Sequence, residues 1–305
     1  MHFKNNFIYR VAFVALLIVM GITGACGALP MNPMGYEDIV TMAKPQSAIM
    51  SPQGNKTAYT VRRSHVEKNQ NRDEFYIWNA QDKTSKKVFE ADKILQVEWT
   101  EDEKTVYLLT QDKGQFHIVG GGAEGFAPLA SFDERVSVMA LSSDSQHLYY
   151  AIAQTTSDDV IKQKKELGYV YKWGEDNCFT LDGKHFKQVE FEEIWCLNVP
   201  SKKSYFLTRI SCDGIYKNLD YYSRVVSIHP SEDERLLAFS LSKVGRSDKG
   251  EIPVSNEIVI WDTHQQQWKS LSVGLYKRIN QPCWLSNTQL AFVESSIVNG
   301  VSAQS

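Results

Sequence analysis

Beyond residue 45 the chain repeats one plan: a short apolar strand, a polar turn and a second apolar strand. The plan recurs at Ser47–Tyr59, Val97–Tyr107, Val138–Tyr149, Val226–Phe239 and Pro282–Phe292. Each turn is built from Ser, Pro, Asp, Asn and Gly types, which reverse a chain at low conformational cost. Hairpins of a second type stand between these openings. They begin at Phe75–Trp78, Phe116–Val119, Glu193–Leu197 and Glu257–Trp261, and pass through a polar turn into a short strand such as Lys87–Phe89 or Trp268–Leu271. Opening and closing hairpins alternate. Two hairpins supply four antiparallel strands, which is one blade of a β-propeller.

The repeat has a register. With Met50, Trp99, Leu141, Ile228 and Trp284 taken as equivalent, the steps are 49, 42, 87 and 56 residues. The first two match the ~40–50-residue period of blade repeats. The step of 87 contains a single closing hairpin. It therefore reads as one blade carrying an insertion from about Ala153 to Val189, with a helix-like stretch Asp158–Leu167 inside it. The expected fold is all-β: an incomplete propeller of about four and a half four-stranded blades over 45–294, followed by a tail 295–305. A seven-strand sandwich does not account for the alternation of two hairpin types. Ahead of the first blade, within a linker 29–44, Gly35–Ala43 reads as a short helix with acidic residues in its first turn, stopped at Lys44-Pro45.

The first 28 residues are of another kind. Lys4 and Arg10 flank a polar start, Val11–Ile22 is almost wholly apolar, and small residues follow to Ala28. That three-part pattern is a secretory signal, and it predicts an exported, envelope location. The apolar run is shorter than the ~20 residues a spanning helix needs. Cys26, after Gly24-Ala25, resembles a bacterial lipoprotein processing site, although Thr23 stands where an aliphatic residue is preferred. Cys26 is thus the candidate for a lipid anchor, with plain cleavage after Ala25 or Ala28 as the alternative. In an oxidising compartment Cys178, Cys196, Cys212 and Cys283 allow three pairings, Cys196 with Cys212 being the nearest; without a metal-type spacing, buried free thiols fit them better.

Composition adds little beyond a globular balance. Of 305 residues 43% are hydrophobic and 23% charged, and the net charge is −3. No cluster of Lys and Arg along the chain suggests a nucleic-acid footprint.

The order of these features resembles a known family. A short helix, the opening Ser51–Tyr59, the strand Phe75–Asn79 and the third-blade insertion with Asp159–Lys165 and Tyr171–Gly174 before Trp195–Asn198 are similar to the propeller of the acylaminoacyl-peptidase and dipeptidyl-peptidase relatives of prolyl oligopeptidase. The resemblance covers about residues 35–294. It implies a ring of about seven blades in front of an α/β-hydrolase domain that holds the serine-peptidase chemistry. No Gly-x-Ser-x-Gly occurs in the sequence, nor an ordered Ser, Asp and His set, so no catalytic residue carries over. The family's acidic pair for a substrate amino terminus has no matching motif either.

Other candidates read as structure. Gly120–Gly125 fits the dinucleotide pattern Gly-x-Gly-x-x-Gly, but Phe126-Ala127-Pro128 follows in place of a helix, so it reads as a closing-hairpin turn. The seven histidines lack ligand spacing, and His229 is aligned with Ser51 and Thr100, a turn or blade-core place. Lys162–Glu166 is a solvated helix face, and Tyr216, Tyr221 and Tyr222 suit blade packing as well as recognition. No catalytic, cofactor or metal residue is expected. The expected role is a substrate-gating propeller part of an exported serine-peptidase-like protein, itself not an enzyme. An independent envelope module for a protein or peptide ligand is the alternative, and a hydrolase domain supplied in trans a weaker one. An unfinished last blade would leave Leu290–Val293 as an open edge favouring self-association.

Overall fold

Alternation of apolar and polar residues makes strands throughout. The structure is a computed structural model and describes residues 42–155, 189–211, 220–246, 254–271, 277–298 and 301–304. The first sheet joins β1 (Lys44–Met50), β2 (Lys56–His65), β3 (Gln70–Asn79) and β4 (Thr84–Ala91), with a 3-10 turn Val66–Lys68 between β2 and β3. The second joins β5 (Lys93–Trp99), β6 (Val106–Asp112), β7 (Gln115–Gly122) and β8 (Gly125–Phe132). The third joins β9 (Arg135–Leu141), β10 (His147–Thr155), β11 (Val189–Asn198) and β12 (Lys203–Ser211). The fourth joins β13 (Asp220–Pro230), β14 (Leu236–Arg246), β15 (Val254–Asp262) and β16 (Gln267–Leu271), and the fifth β17 (Lys277–Ser286), β18 (Gln289–Val298) and β19 (Val301–Gln304). Every sheet is an antiparallel meander in chain order.

The period of two in a strand sends neighbouring side chains to opposite faces, and that places the cores between the blades. On β6, Val106 and Leu108 pack with Ala58 and Phe75 of the first blade. Tyr107 and Leu109 of the same strand pack with Val136, Leu148 and Tyr150 of the third. On β10, Tyr149 and Ala151 turn instead to Ile228, Leu237 and Phe239 of the fourth. On β14, Ala238 meets Trp284 and Leu290 of the fifth. None of these clusters, among the described residues, joins the first sheet to the fifth. Each buried Leu, Ile or Phe contributes roughly 1.5–3 kcal/mol, so the stack is held by interfaces and not by one central core.

The insertion lies in the hairpin between β10 and β11, where Thr155 pairs with Val189, so the long step does contain one blade. Its helix-like stretch lies outside the described residues. So do residues 35–41 of the expected N-terminal helix and all of 1–28, and Lys44 and Pro45, read as the helix stop, open β1 instead. The residues read as a tail also differ: β18 runs on to Val298 and pairs through Ser295–Val298 with β19. The fifth unit is therefore a three-stranded sheet, and its ladder to β19 begins just after Leu290–Val293.

Candidate functional site

The four complete blades share one opening turn in atomic detail. A buried Ser or Thr begins it: Ser51, Thr100, Ser142 and Ser231. Its hydroxyl accepts the N–H of the residue five positions on, at 3.0 Å for Lys56, 3.1 Å for Thr105, 2.9 Å for His147 and 3.0 Å for Leu236. In three blades it also donates to an Asp two residues on: Asp102, Asp144 and Asp233. The fourth position is left-handed, with φ of 81° at Gly54, 56° at Glu103, 61° at Ser145 and 57° at Glu234. This geometry corrects the register of the fourth blade. Ser231, not His229, holds the place of Ser51 and Thr100, because only a hydroxyl there caps the turn. His229 lies two residues earlier, where burial keeps its pKa below the ordinary value.

Two of these turns latch their blade to the one before. Glu103 accepts the Gln53 N–H at 2.6 Å and the Asn55 side-chain amide at 3.0 Å. Glu234 reaches back in the same way but meets Tyr149 Oη, which donates to it, and His147 Nδ1 at 2.9 Å. Asp144, His147 and Glu234 offer three potential ligand atoms within 4.8 Å of one another, a grouping that the scattered spacing of histidines did not show. Asn198 Oδ1 takes the N–H and hydroxyl of Ser201, which turns its amide nitrogen to His147 Nε2 at 3.3 Å. Nε2 then accepts, while Nδ1 lies 2.9 Å from Glu234 Oε2 without hydrogen-bond geometry.

The first strands of consecutive blades are neighbours, β5 beside β9, β9 beside β13 and β13 beside β17, and form an inner layer. Each of the first four carries a bulge five residues ahead of its turn, at Gln46, Leu95, Ser137 and Val226. A bulge re-aims its side chain. Leu95 is 46% exposed and Val226 54%. Side chains tie the strands together beside the bulges. Gln96 takes the N–H of Met139 at 2.9 Å and donates to its carbonyl at 2.5 Å, completing a peptide-like pair between blades. Buried Glu192 accepts Ser137 Oγ at 2.5 Å and the Val225 N–H; burial raises its pKa, against those two bonds. Half-buried Glu98 has one partner among the described residues, Gln96 Nε2 at 2.7 Å, and burial pushes its pKa up to about 7.

The other sequence candidates are placed as follows. Gly120–Gly122 end β7 and Gly125 starts β8, so the glycine-rich run is a hairpin turn. A Cβ at Gly121 would lie 2.0 Å from the Gly125 carbonyl oxygen, which explains glycine there without any nucleotide. Cys196 is a buried free thiol, and Cys283 is free but exposed, contrary to the expectation of burial. Cys26, Cys178, Cys212, Tyr216 and Lys162–Glu166 lie outside the described residues, and the side chains of Tyr221 and Tyr222 are not described.

No protein-family profile and no curated protein matches the sequence. Solved structures do match in fold. The AtxE2 isopeptidase is 12% identical with a TM-score of 0.48, covering 88% of this chain and 59% of its own. The acylaminoacyl peptidase of Pyrococcus horikoshii is 10% identical with a TM-score of 0.46, covering 87% of this chain and 45% of its own. The β-propeller domain of the trilobed protease of Pyrococcus furiosus is 10% identical with a TM-score of 0.40, covering 87% and 96%. The chain thus spans about half the length of the two peptidases. Meander blades stacked through apolar interfaces, with one turn repeated in each, make this chain a β-propeller.

Proposed function

We propose that the chain is the recognition propeller of an exported peptidase-like protein. It holds a peptide on its inner strand layer and leaves bond cleavage to a hydrolase domain elsewhere in a longer polypeptide or in a separate one. The observation that carries this reading is the repeated bulge. Blade-to-blade faces bury their apolar side chains, yet the inner layer leaves Leu95 and Val226 exposed at one structural position in two blades. Exposed apolar side chains placed by a rigid repeat form a contact surface for a ligand. The sequence resemblance to prolyl-oligopeptidase relatives supplies the peptide as ligand class, and the absence of Gly-x-Ser-x-Gly supports a non-catalytic role.

The test is binding of fluorescent peptide libraries to the full chain. A set of peptides should bind, and Leu95→Asp with Val226→Asp should abolish binding without lowering the melting temperature. Labelling of the wild type by a fluorophosphonate, lost on changing one serine, would refute the non-catalytic role. The same reading puts the protein in the envelope, supported by Lys4, Arg10 and the apolar run Val11–Ile22. Cell fractionation should find it there, and Cys26→Ser should move it from membrane to soluble fraction if Cys26 carries a lipid. Recovery of an unprocessed cytoplasmic product would remove the export reading.

A further inference from the structure

The inner layer carries a second repeated feature, one of charge. Seven residues ahead of each turn hydroxyl, and two ahead of each bulge, stand Lys44, Lys93, Arg135 and Arg224. Four blades thus place a basic residue at one structural position, the start of the first strand. All four are exposed. None of the four has an ion-pair partner among the described residues. The carboxylates close by are already engaged: Asp92 by Arg72 and the Lys113 N–H, Glu192 by Ser137 and Val225. In the fifth blade Trp284, whose indole donates to the His229 carbonyl as that of Trp99 does to the Ile49 carbonyl, sets the register and puts Arg278 at this place in the sequence.

The repeat also decides where these charges go. Opening turns are latched to one another in three of the four steps, Gln53 to Glu103, Ser143 to the Glu232 carbonyl and Asp233 to Asn287, and β5 lies beside β9 in the remaining one, so the first strands finish on one side of the stack. They therefore begin together on the other side, and the four cations share that rim. Arg135 and Arg224, in adjacent blades, are near enough to repel: burial and then Arg224 lower the pKa of Arg135, while Glu192 acts against them. A protein of net charge −3 has no general excess of cations to distribute. Unpaired like charges held at one repeated position cost stability, and an anionic ligand offsets that cost.

We infer that this basic rim, Lys44, Lys93, Arg135 and Arg224, binds acidic peptides, gripping side-chain or terminal carboxylates beside the exposed Leu95 and Val226. The inference rests on the peptide-recognition reading above and names the substrate class. Arg135 and Arg224 suit a carboxylate best, since a guanidinium presents paired donors to its two oxygens.

The experiment compares a fluorescein-labelled peptide of alternating Glu and Leu with its Gln and Leu counterpart, both titrated with the full chain and followed by anisotropy. The acidic peptide should bind about tenfold or more tightly, a difference that shrinks as salt rises. Arg135→Gln with Arg224→Gln should erase the preference without lowering the melting temperature. Lys44→Gln with Lys93→Gln is the second variant, should the arginine pair not fold. Equal binding of both peptides overturns the basic rim and leaves the recognition reading standing. Failure of both to bind overturns the two together. Binding to vesicles containing an anionic phospholipid, with no preference for the acidic peptide, also overturns it.

Discussion

Glu103 and Glu234 hold the same place in the second and fourth blades, with φ of 56° and 57°, yet their carboxylates meet opposite surroundings. Glu103 receives amide donors from the blade before it, Gln53 N–H and Asn55 Nδ2. Glu234 receives Tyr149 Oη, stands 2.9 Å from His147 Nδ1 and shares its site with the Asp144 carboxylate. One backbone device thus serves two interfaces with different electrostatics.

The first prediction follows from that contrast. Glu103→Ala leaves two donors without an acceptor and should cost about 1–3 kcal/mol in urea unfolding. Glu234→Ala also removes a repulsion between carboxylates, so its cost should be smaller. A larger loss for Glu234→Ala would show that Asp144 does not oppose it.

Glycine substitutions separate space from backbone conformation. Gly121→Ala forces a Cβ to 2.0 Å from the Gly125 carbonyl oxygen and should be severely destabilising or prevent folding. Gly54→Ala meets only Met50 Sδ at 3.5 Å, and its φ is 81°. Its loss should be limited to the left-handed penalty of about 1–2 kcal/mol. Thermal unfolding of the two variants should rank them in that order; the reverse ranking would contradict the hairpin geometry.

Glu98 makes stability depend on pH in the direction opposite to a salt-bridged carboxylate. Its pKa is about 7 in the folded protein against an ordinary 4.5. Below pH 4.5 both states hold the proton. Between 4.5 and about 7 the unfolded chain releases it and the folded one keeps it, so stability falls as pH rises, then levels off. Glu98→Gln should remove this fall. Parallel stability curves for the two proteins across that window would exclude the buried carboxyl as its source.

Thiol reactivity should divide Cys196 from Cys283. Burial pushes the Cys196 thiol up to about 11, and the thiolate is the reactive form. Brief iodoacetamide treatment of the native protein, followed by peptide mapping, should mark Cys283 and spare Cys196 until denaturant is added. Equal labelling in the native state would mean that the third blade opens readily.

The apolar-polar period and the alternation of two hairpin types determined the strands, the blades and even the single blade around a long insertion, because those depend on local pattern and turn chemistry. The basic row was equally present in the sequence, seven residues ahead of Ser51, Thr100, Ser142 and Ser231, but it emerges only when the blades are aligned by the correct hydroxyl. Counting on apolar residues chose Ile228 and His229 in the fourth blade. The turn itself shows that Ser231 is the equivalent residue, since register there is decided by a hydrogen bond to the Leu236 N–H. What tertiary structure alone decided is which groups meet between blades: Gln96 with Met139, Glu192 with Val225, and the Asp144 and His147 pair with Glu234. Residues 33 to 90 positions apart carry no local signature of one another. Their meeting follows from the stacking of whole sheets, and so does the gathering of four separate cations on one rim.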